Sequence, residues 1–298
     1  MKVKKKYETF WSTCLRKKQY WGTDFFSATV LVESPLNVMN PRSQYSWIKT
    51  VSYFLYSKVI QTEQLFTVKG DEAGHVLRSR RIQVGEVIQI QDLNVTRFEA
   101  RVEKLDNRSL TLLPLKQLQT PPESPLTIHL YQALVKEKGL DLIVQKCTEL
   151  GVSSICFFQS RYSQRLHAKN DSEKKLQRWH RIAIEACKQS GRAVPPGISF
   201  ISDLSKFQQD SGESSIETIP ALCLESSGET VPLESACSKT STVNLIIGPE
   251  GGWSDTELDG LPFQKIQLGP RILRSDTAAI SAVTVLQYLY GDLTSPPF

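Results

Sequence analysis

The sequence lacks the patterns that mark several large classes of protein. Its six cysteines form no CxxC pair and no Cys/His cluster, so neither a structural zinc site nor a disulfide framework is expected, and a reducing compartment fits better. No apolar run approaches the roughly 18 residues of a membrane-spanning helix, which excludes an integral membrane protein. Neither a GxGxxG fingerprint nor a P-loop occurs, which argues against a nucleotide-dependent oxidoreductase and against a triphosphate site.

What the chain does have is an uneven distribution of charge. Its 298 residues carry 36 basic and 31 acidic side chains, but residues 1–50 sum to +6, residues 51–199 to +7 and residues 200–298 to −8. A basic front two-thirds favours binding to a polyanion, most often nucleic acid, although solvated charged surfaces would give the same count. The 40% apolar and 22% charged content is that of a globular protein rather than a disordered one.

The order of short elements predicts two domains behind a basic extension of unknown role. Residues 1–50 show no apolar stretch behind their basic start, so a secretory signal is not expected and a cytoplasmic location is, with organelle targeting left open. Over residues 51–120, β-type runs separated by turn residues, with one helix at Glu72–Arg81, predict a small β-barrel. The proline-rich stretch Pro121–Pro125 is typical of a linker.

Residues 126–298 alternate strands with helices, which predicts an α/β domain around a parallel sheet. One helix is predicted over Gly139–Gly151, and a longer one is predicted to be capped by Ser172 and stopped by Gly191. Three later apolar runs suit buried parallel strands, and a last helix is expected from about Ser275 to Tyr290.

Two loops after the last strands carry the residues most indicative of chemistry. Strand Val243–Ile247 runs into the text GPEGGWS at residues 248–254, where three glycines would let backbone amides approach a ligand closely. Ser254 and Glu257 have the S-x-x-E spacing of a capping box that would open a helix. A plain tight strand-to-helix turn would explain the same residues.

The second loop is the LGPRILRSDTAA stretch at residues 268–279. Arg271 and Arg274 precede a helix of small residues that has Ser, Asp and Thr at its start. Arginines beside a helix N-terminus can hold a phosphate or polarise an acidic proton. Exposed arginines before an ordinary capped helix are the alternative interpretation.

Together the two loops resemble the ribosomal RNA small subunit methyltransferase E family, in which the corresponding motifs are usually IGPEGGFS and LGPRILRTETA. The stretches KCTELGV at Lys146–Val152 and RWHRIAIEACKQSGR at Arg178–Arg192 also agree with that family, and the likeness runs from about Val51 to Leu289. In this chain Ser275 stands where the family has Thr, and Asp276 stands where it has Glu.

The chain departs from the usual family sequence at two more places, both in the predicted barrel. It has Gly74-His75 where the family often has His-His, and Leu93-Asn94-Val95 where the family often has a glycine-rich turn. They therefore bear on substrate docking more than on methyl transfer.

The resemblance implies a 16S rRNA uracil-N3 methyltransferase of the SPOUT superfamily, with a trefoil-knotted α/β domain behind a PUA-like β-barrel. It implies S-adenosylmethionine as the cofactor, a homodimer, no metal, and small-subunit ribosomal RNA or the assembled small subunit as the partner. By matching motif to motif, the cofactor would contact Leu224, Glu225, Gly248, Glu250, Gly251, Leu268, Gly269, Ile272 and Leu273.

The resemblance also suggests roles for the charged residues. Arg274 would stabilise the uracil anion that develops during transfer or hold a flanking phosphate, and Asp276 would take the N3 proton, orient Arg274 or only cap the last helix. A ribose 2′-O-methyltransferase of the same superfamily and a non-catalytic RNA-binding factor are the alternatives, and the modified nucleotide stays open. The residues expected to contact RNA are Arg78, Arg161, Gln189, Ser190 and Arg192. The alternative interpretation is that they belong to an ordinary solvated surface.

Overall fold

The computed structural model describes residues 53–80, 82–164, 169–207, 219–225, 229–236, 241–254 and 256–296. The extension predicted at residues 1–50 lies outside the described residues. The chain divides into two compact units between Thr120 and Pro121.

The first unit is a five-stranded sheet in the order β1-β3-β4-β5-β2, in which only β1 and β3 run parallel. Long strands alternate buried and exposed residues, so one face packs on a core that includes Ile90, Val102 and Leu112. Both the short strands and the helix expected here are confirmed. The elements are β1 (Phe54–Leu55), β2 (Phe66–Lys69), α1 (Asp71–Arg80), β3 (Val87–Gln91), β4 (Arg97–Asp106) and β5 (Ser109–Leu118).

The second unit is a seven-stranded sheet in the order β10-β12-β9-β11-β6-β7-β8, and every pairing in it is parallel. The prediction of an α/β fold around a parallel sheet is therefore confirmed. Its strands are β6 (Thr127–Ala133), β7 (Ser154–Phe158), β8 (Gly197–Ile201), β9 (Ala221–Leu224), β10 (Val231–Pro232), β11 (Thr242–Ile247) and β12 (Gln264–Gln267). Its helices are α2 (Glu137–Glu149), α3 (Lys169–Ser190), α4 (Leu233–Ala236) and α5 (Ser275–Tyr290).

The sheet of the second unit is covered on both faces because successive residues of its strands point in opposite directions. Leu130 and Phe157 belong to one buried cluster, which also contains residues of α2, α3 and α5. Their neighbours Tyr131 and Phe158 belong to another buried cluster, which Trp253 joins. This double burial explains why the strands read as continuous apolar runs. No helix among the described residues is long and apolar enough to cross a membrane.

Two local predictions were wrong, and two strands were missed. Helix α3 begins at Lys169, so Ser172 lies inside it rather than at its cap. Strands β8 and β10 were not anticipated; β10 spans only two residues, and β8 begins at Gly197 directly after Pro195 and Pro196, which are typical of a turn. No helix follows Ser254: its backbone N–H lies 3.3 Å from Glu257 Oε2, as a capping box requires, but residues 256–260 form turns. Gly260, with φ of +73°, and a proline two residues later end the segment before a helix can propagate.

Candidate active site

A cavity of about 650 Å³ opens at the carboxyl ends of three neighbouring strands. Leu224, Ile247 and Gln267 end β9, β11 and β12, which are adjacent in the sheet, and all three residues line the cavity. In open α/β sheets this edge is where ligands bind, since the loops that leave the strands diverge there. The cavity is lined by Leu224, Glu225, Ile247, Gly248, Pro249, Glu250, Gly252, Trp253, Gln267, Leu268, Gly269, Pro270, Arg271, Ile272, Leu273, Arg274, Ser275 and Ala278.

The loop after β11 forms the first wall, and it depends on glycine at its start. A Cβ atom built on Gly248 would lie 2.8 Å from Cε2 of Trp253, so only glycine lets the indole ring approach this closely. The Trp253 ring is in turn stacked parallel to Phe158, with centroids 6.1 Å apart. The ring of Trp253 therefore anchors the loop on the sheet while it lines the cavity.

The loop between β12 and α5 forms the second wall. Leu268 and Leu273 are partly buried and pack against the core of the unit, whereas Ile272 is 85% exposed. The loop therefore presents apolar side chains both at the floor and at the rim of the cavity. It leads directly into the first turn of α5, whose backbone N–H groups carry partial positive charge.

A buried polar contact joins these two walls. The Ser275 hydroxyl donates a hydrogen bond to the carbonyl oxygen of Gly248 at 2.7 Å and accepts one from Nε2 of Gln132 at 2.9 Å. Ser275 and Gln132 are 5% and 0% exposed. Because three chain segments meet at one hydroxyl, Ser275 fixes the distance between the first turn of α5 and the loop after β11.

The end of β9 forms the third wall. The backbone N–H of Glu225 donates to the Ile266 carbonyl at 3.0 Å, which extends the pairing with β12 by one step. The Glu225 carboxylate lies 3.0 Å from Nζ of Lys265, and this contact raises the pKa of the lysine. A carboxylate therefore stands at the edge of a cavity whose floor is apolar.

Arg274 lies between two carboxylates near the cavity mouth. Its Nη2 is 3.7 Å from Oε1 of Glu250, and its Nε is 3.9 Å from Oδ1 of Asp276. The arginine side chain is 73% exposed, and such exposed pairs are worth at most about 1 kcal/mol. Oδ1 of Asp276 also accepts the backbone N–H of Thr277 at 2.7 Å. The guanidinium can therefore exchange these weak partners for an incoming anion at little cost.

The described residues offer no alternative centre of metal or thiol chemistry. No group of three or more His, Cys, Asp or Glu residues among them is arranged to hold a metal ion. Cys223, next to the cavity-lining Leu224, is buried, and burial raises the pKa of its thiol well above the usual range. Cys223 therefore stays protonated near neutral pH and is not a nucleophile.

Comparisons with known proteins identify the family. A model of the RNA methyltransferase domain matches residues 122–287. Ribosomal RNA small subunit methyltransferase E of Synechocystis is 31% identical over 245 residues, which covers 78% of each chain. The chain belongs to the ribosomal RNA small subunit methyltransferase E family.

Two solved structures extend this similarity to three dimensions. A methyltransferase from Legionella pneumophila with bound S-adenosylmethionine is 31% identical, with a TM-score of 0.72, and the match covers 83% of this chain and 100% of that one. The family member from Neisseria gonorrhoeae, also bound to S-adenosylmethionine, is 28% identical, with a TM-score of 0.71 and coverage of 82% and 99%.

The cavity of the present protein brings together most of the residues that were expected to contact a cofactor. Gly251 is an exception, because a Cβ atom built on it would lie 3.0 Å from Cβ of Tyr162 rather than in the cavity. Asp276 is not part of the lining either and is reached only through Arg274. The predicted residues that do line the cavity are Leu224, Glu225, Gly248, Glu250, Leu268, Gly269, Ile272, Leu273 and Arg274.

Half of the 18 lining residues were not among the predicted site residues, and three of these, Trp253, Arg271 and Ser275, shape the site. Trp253 stands where the family text has phenylalanine, and its place in an otherwise glycine-rich stretch could have signalled a wall residue. Arg271 was noted beside Arg274 in the loop but was not included among the predicted site residues. Nothing in the sequence indicates the bond of Ser275 to Gly248, because the partners are 27 residues apart.

The residues expected to contact RNA fall in different settings. Arg192 is only 10% exposed; its Nε lies 2.7 Å from Oε2 of Glu123, and its Nη1 donates to the Thr148 carbonyl at 3.0 Å. These contacts give Arg192 a structural role and argue against an RNA contact. Gln189 and Ser190 are exposed at the end of α3, and Arg161 is exposed after β7. Arg78 belongs to α1, and its side chain lies outside the described part of the structure.

Proposed function

We propose that the protein is an S-adenosylmethionine-dependent methyltransferase that modifies a uridine N3 in small-subunit ribosomal RNA. The observation that carries this proposal is the cavity in which the GPEGGWS and LGPRILRSD loops form facing walls joined by Ser275. Support comes from the named relatives and from the two solved structures that hold S-adenosylmethionine.

The residues of the cavity fit this cofactor. A volume of about 650 Å³ lies within the range of roughly 300–1,000 Å³ that is usual for small-molecule sites. The apolar side chains of Leu224, Leu268 and Leu273 suit a flat adenine ring, and the Glu225 carboxylate can accept hydrogen bonds from ribose hydroxyls. Glu250 adds negative charge, which complements a positively charged donor.

When bound, S-adenosylmethionine supplies a methyl group on a sulfonium that is itself a good leaving group. The acceptor, uracil N3, is a weak acid, so its proton must leave before or during attack. Arg274, whose side chain is 73% exposed, would face the base and stabilise the developing negative charge. Asp276 would orient Arg274 from 3.9 Å or accept the proton, and it also caps the first turn of α5 through Thr277.

We further propose that residues 126–298 form a trefoil-knotted SPOUT domain. Strand β12 lies on the far side of β9 from β11, yet α5, which follows it, packs against α2, β6 and β11. The loop between β12 and α5 must therefore lead the chain back past the loop after β11, to which Ser275 bonds. Such threading is rare in proteins, and this return path supports it here.

The first unit would act as a PUA-like RNA-binding barrel over residues 51–120, and the protein as a homodimer. The five-stranded sheet with its enclosed core supports the former. Tyr288, on α5, and Leu293, just beyond it, are 61% and 45% exposed, which supports a dimer that covers this end of the helix.

Mapping of modified uridines tests the function directly. Small-subunit RNA from cells with and without the gene would be digested with nuclease and the fragments analysed by mass spectrometry. The proposal expects one base-methylated uridine that disappears with the gene and returns with the parent protein. Loss of a ribose methyl group instead would indicate the 2′-O reaction, and no change would indicate an RNA-binding factor without activity.

A further inference from the structure

The turn after β7 lies directly against the cavity loop. Residues 160–164 follow the strand, and within them Cβ of Tyr162 abuts Gly251, since a Cβ atom added there would lie only 3.0 Å away. The backbone N–H of Arg161 donates to Oε1 of Glu257 at 3.2 Å. Both residues that flank Gly251 in sequence line the cavity. The turn therefore forms the surface immediately outside the cavity wall.

This turn is held rigidly by its own hydrogen bonds. The Ser163 hydroxyl donates to the Ser160 carbonyl at 2.9 Å and accepts the Ser160 backbone N–H at 3.0 Å. The backbone N–H of Gln164 donates to the Leu134 carbonyl at 3.2 Å, which ties the turn to the end of β6. A side chain on such a turn is presented in a fixed place, so a partner would meet a preformed surface.

The two side chains at the tip of the turn are exposed and belong to the types that bind unpaired nucleotides. Tyr162 is 54% exposed, and the guanidinium carbon of Arg161 lies 6.0 Å from its ring centroid. Among the described residues, no carboxylate lies within ion-pair distance of the Arg161 guanidinium. An aromatic face stacks on any base, and an adjacent guanidinium binds the phosphate beside it.

We propose that Arg161 and Tyr162 form a stacking ledge for one unpaired base of the substrate RNA, next to the nucleotide that enters the cavity. The inference rests on the proposed function and adds the class of substrate. Bases in an A-form duplex present no free face to the ledge, so the target uridine has an unpaired neighbour. The ledge holds that neighbour and thereby positions the reacting uracil.

Two variants distinguish the role of the Tyr162 ring from that of the Tyr162 Cβ atom, which packs against Gly251. Tyr162→Ala removes the ring but keeps the Cβ atom that abuts Gly251, so the cavity wall should be preserved. Tyr162→Phe keeps the stacking face and removes only the hydroxyl. Each protein would be titrated with a fluorescent short oligouridylate and with an abasic ribose-phosphate oligomer of equal length and charge. Calorimetric titration with S-adenosylmethionine checks that the cavity is intact in both variants.

The ratio of the two affinities isolates the contribution of the bases. The parent protein and Tyr162→Phe should bind the oligouridylate about tenfold or more tightly than the abasic oligomer, and Tyr162→Ala should bring that ratio close to one. An unchanged ratio in Tyr162→Ala overturns the ledge. An equal loss in Tyr162→Phe also overturns it, since the hydroxyl rather than the ring would then matter.

The ratio of affinities for the oligouridylate and the abasic oligomer is measured without methyl transfer, so it tests the ledge independently of the proposed function. If the parent protein transfers no methyl group to small-subunit RNA but the ratio still depends on the ring, the proposed function fails and the ledge survives as an RNA-binding surface. If methylation proceeds and the ratio does not depend on the ring, only the ledge fails. A ring that serves a protein partner instead would also leave the ratio unchanged.

Discussion

The hydroxyl of Ser275 lies 2.7 Å from the carbonyl oxygen of Gly248, and this bond links the first turn of α5 to the loop after β11. The same hydroxyl accepts a hydrogen bond from Gln132 at the end of β6. Gln132 and Ser275 are buried, whereas Gly248 is partly buried at the cavity, so the bonds through Ser275 tie one cavity wall to the other. We therefore expect Ser275 to set the width of the proposed cofactor site.

Replacement of Ser275 by alanine should weaken S-adenosylmethionine binding and destabilise the fold. The change leaves the Gln132 amide and the Gly248 carbonyl with one partner fewer, at a cost of about 1–3 kcal/mol. Calorimetric titration and thermal unfolding measure the two effects. Ser275→Thr keeps the hydroxyl and is the residue of the family text, so it should behave like the parent. If Ser275→Thr loses as much affinity as Ser275→Ala, side-chain volume rather than the hydrogen bond controls the site.

Replacement of Gly248 by alanine should disrupt the cavity more than its small size suggests. The new Cβ atom would lie 2.8 Å from the Trp253 ring, so the ring or the loop must move, and such overpacking typically costs about 1–3 kcal/mol. Cofactor affinity should fall, and tryptophan fluorescence should change as the indole is displaced. Gly197→Ala is the matched control, because its Cβ atom would only meet Ser154 Cβ at 3.8 Å. Equal cofactor affinity in Gly248→Ala and the parent would show that this wall does not contact the cofactor.

The general position of the site could be predicted from the sequence. The direction in which individual residues of the loops point could not. Leu224, Ile247 and Leu268 fall at the ends of apolar runs, and the ends of parallel strands share one edge, so their meeting follows from the pattern. Within a run of glycines, however, spacing does not tell which one faces the cavity. Gly251 was expected to contact the cofactor, yet it packs against Tyr162 from a separate turn.

Contacts between segments that are far apart in the sequence could not be predicted either. The hydrogen bond between Gln132 and Ser275 joins residues 143 positions apart. Arg192 was expected to contact RNA because it lies just after a basic helix, but its guanidinium donates to Glu123 and to the Thr148 carbonyl. A charged residue near a helix end is thus not enough to identify an interface, since its partners come from tertiary packing.

Replacement of Arg192 by alanine should therefore lower stability rather than RNA affinity. Its side chain is only 10% exposed and bridges Glu123 and α2, so its loss should cost about 1–3 kcal/mol in the free energy of unfolding. Chemical denaturation measures that change. Arg178→Ala is the control, because Arg178 is 49% exposed in its pairs with Glu137 and Asp141 and should contribute less than about 1 kcal/mol. Comparable stability of the two variants, with RNA affinity lost only in Arg192→Ala, would restore the RNA role.

Replacement of Arg274 by alanine should reduce the rate of methyl transfer far more than it reduces RNA affinity. The arginine is held only by weak contacts to Glu250 and Asp276, at 3.7 and 3.9 Å, so its strongest interaction is expected with the uracil anion in the transition state. Loss of one such donor typically lowers the rate by about a hundredfold to a thousandfold. Single-turnover rates at saturating RNA and cofactor measure this effect, and equilibrium titration measures the affinity for RNA.

Two further variants define what Arg274 contributes. Arg274→Lys keeps the positive charge and should recover part of the rate, whereas Arg271→Ala removes a neighbouring arginine of the same loop and should leave the saturated rate near that of the parent. This contrast depends on position, because of the two arginines only Arg274 has ion-pair contacts to Glu250 and Asp276 among the described residues. If Arg274→Ala weakens RNA binding and leaves the saturated rate unchanged, then Arg274 docks the RNA backbone and another group must stabilise the uracil anion.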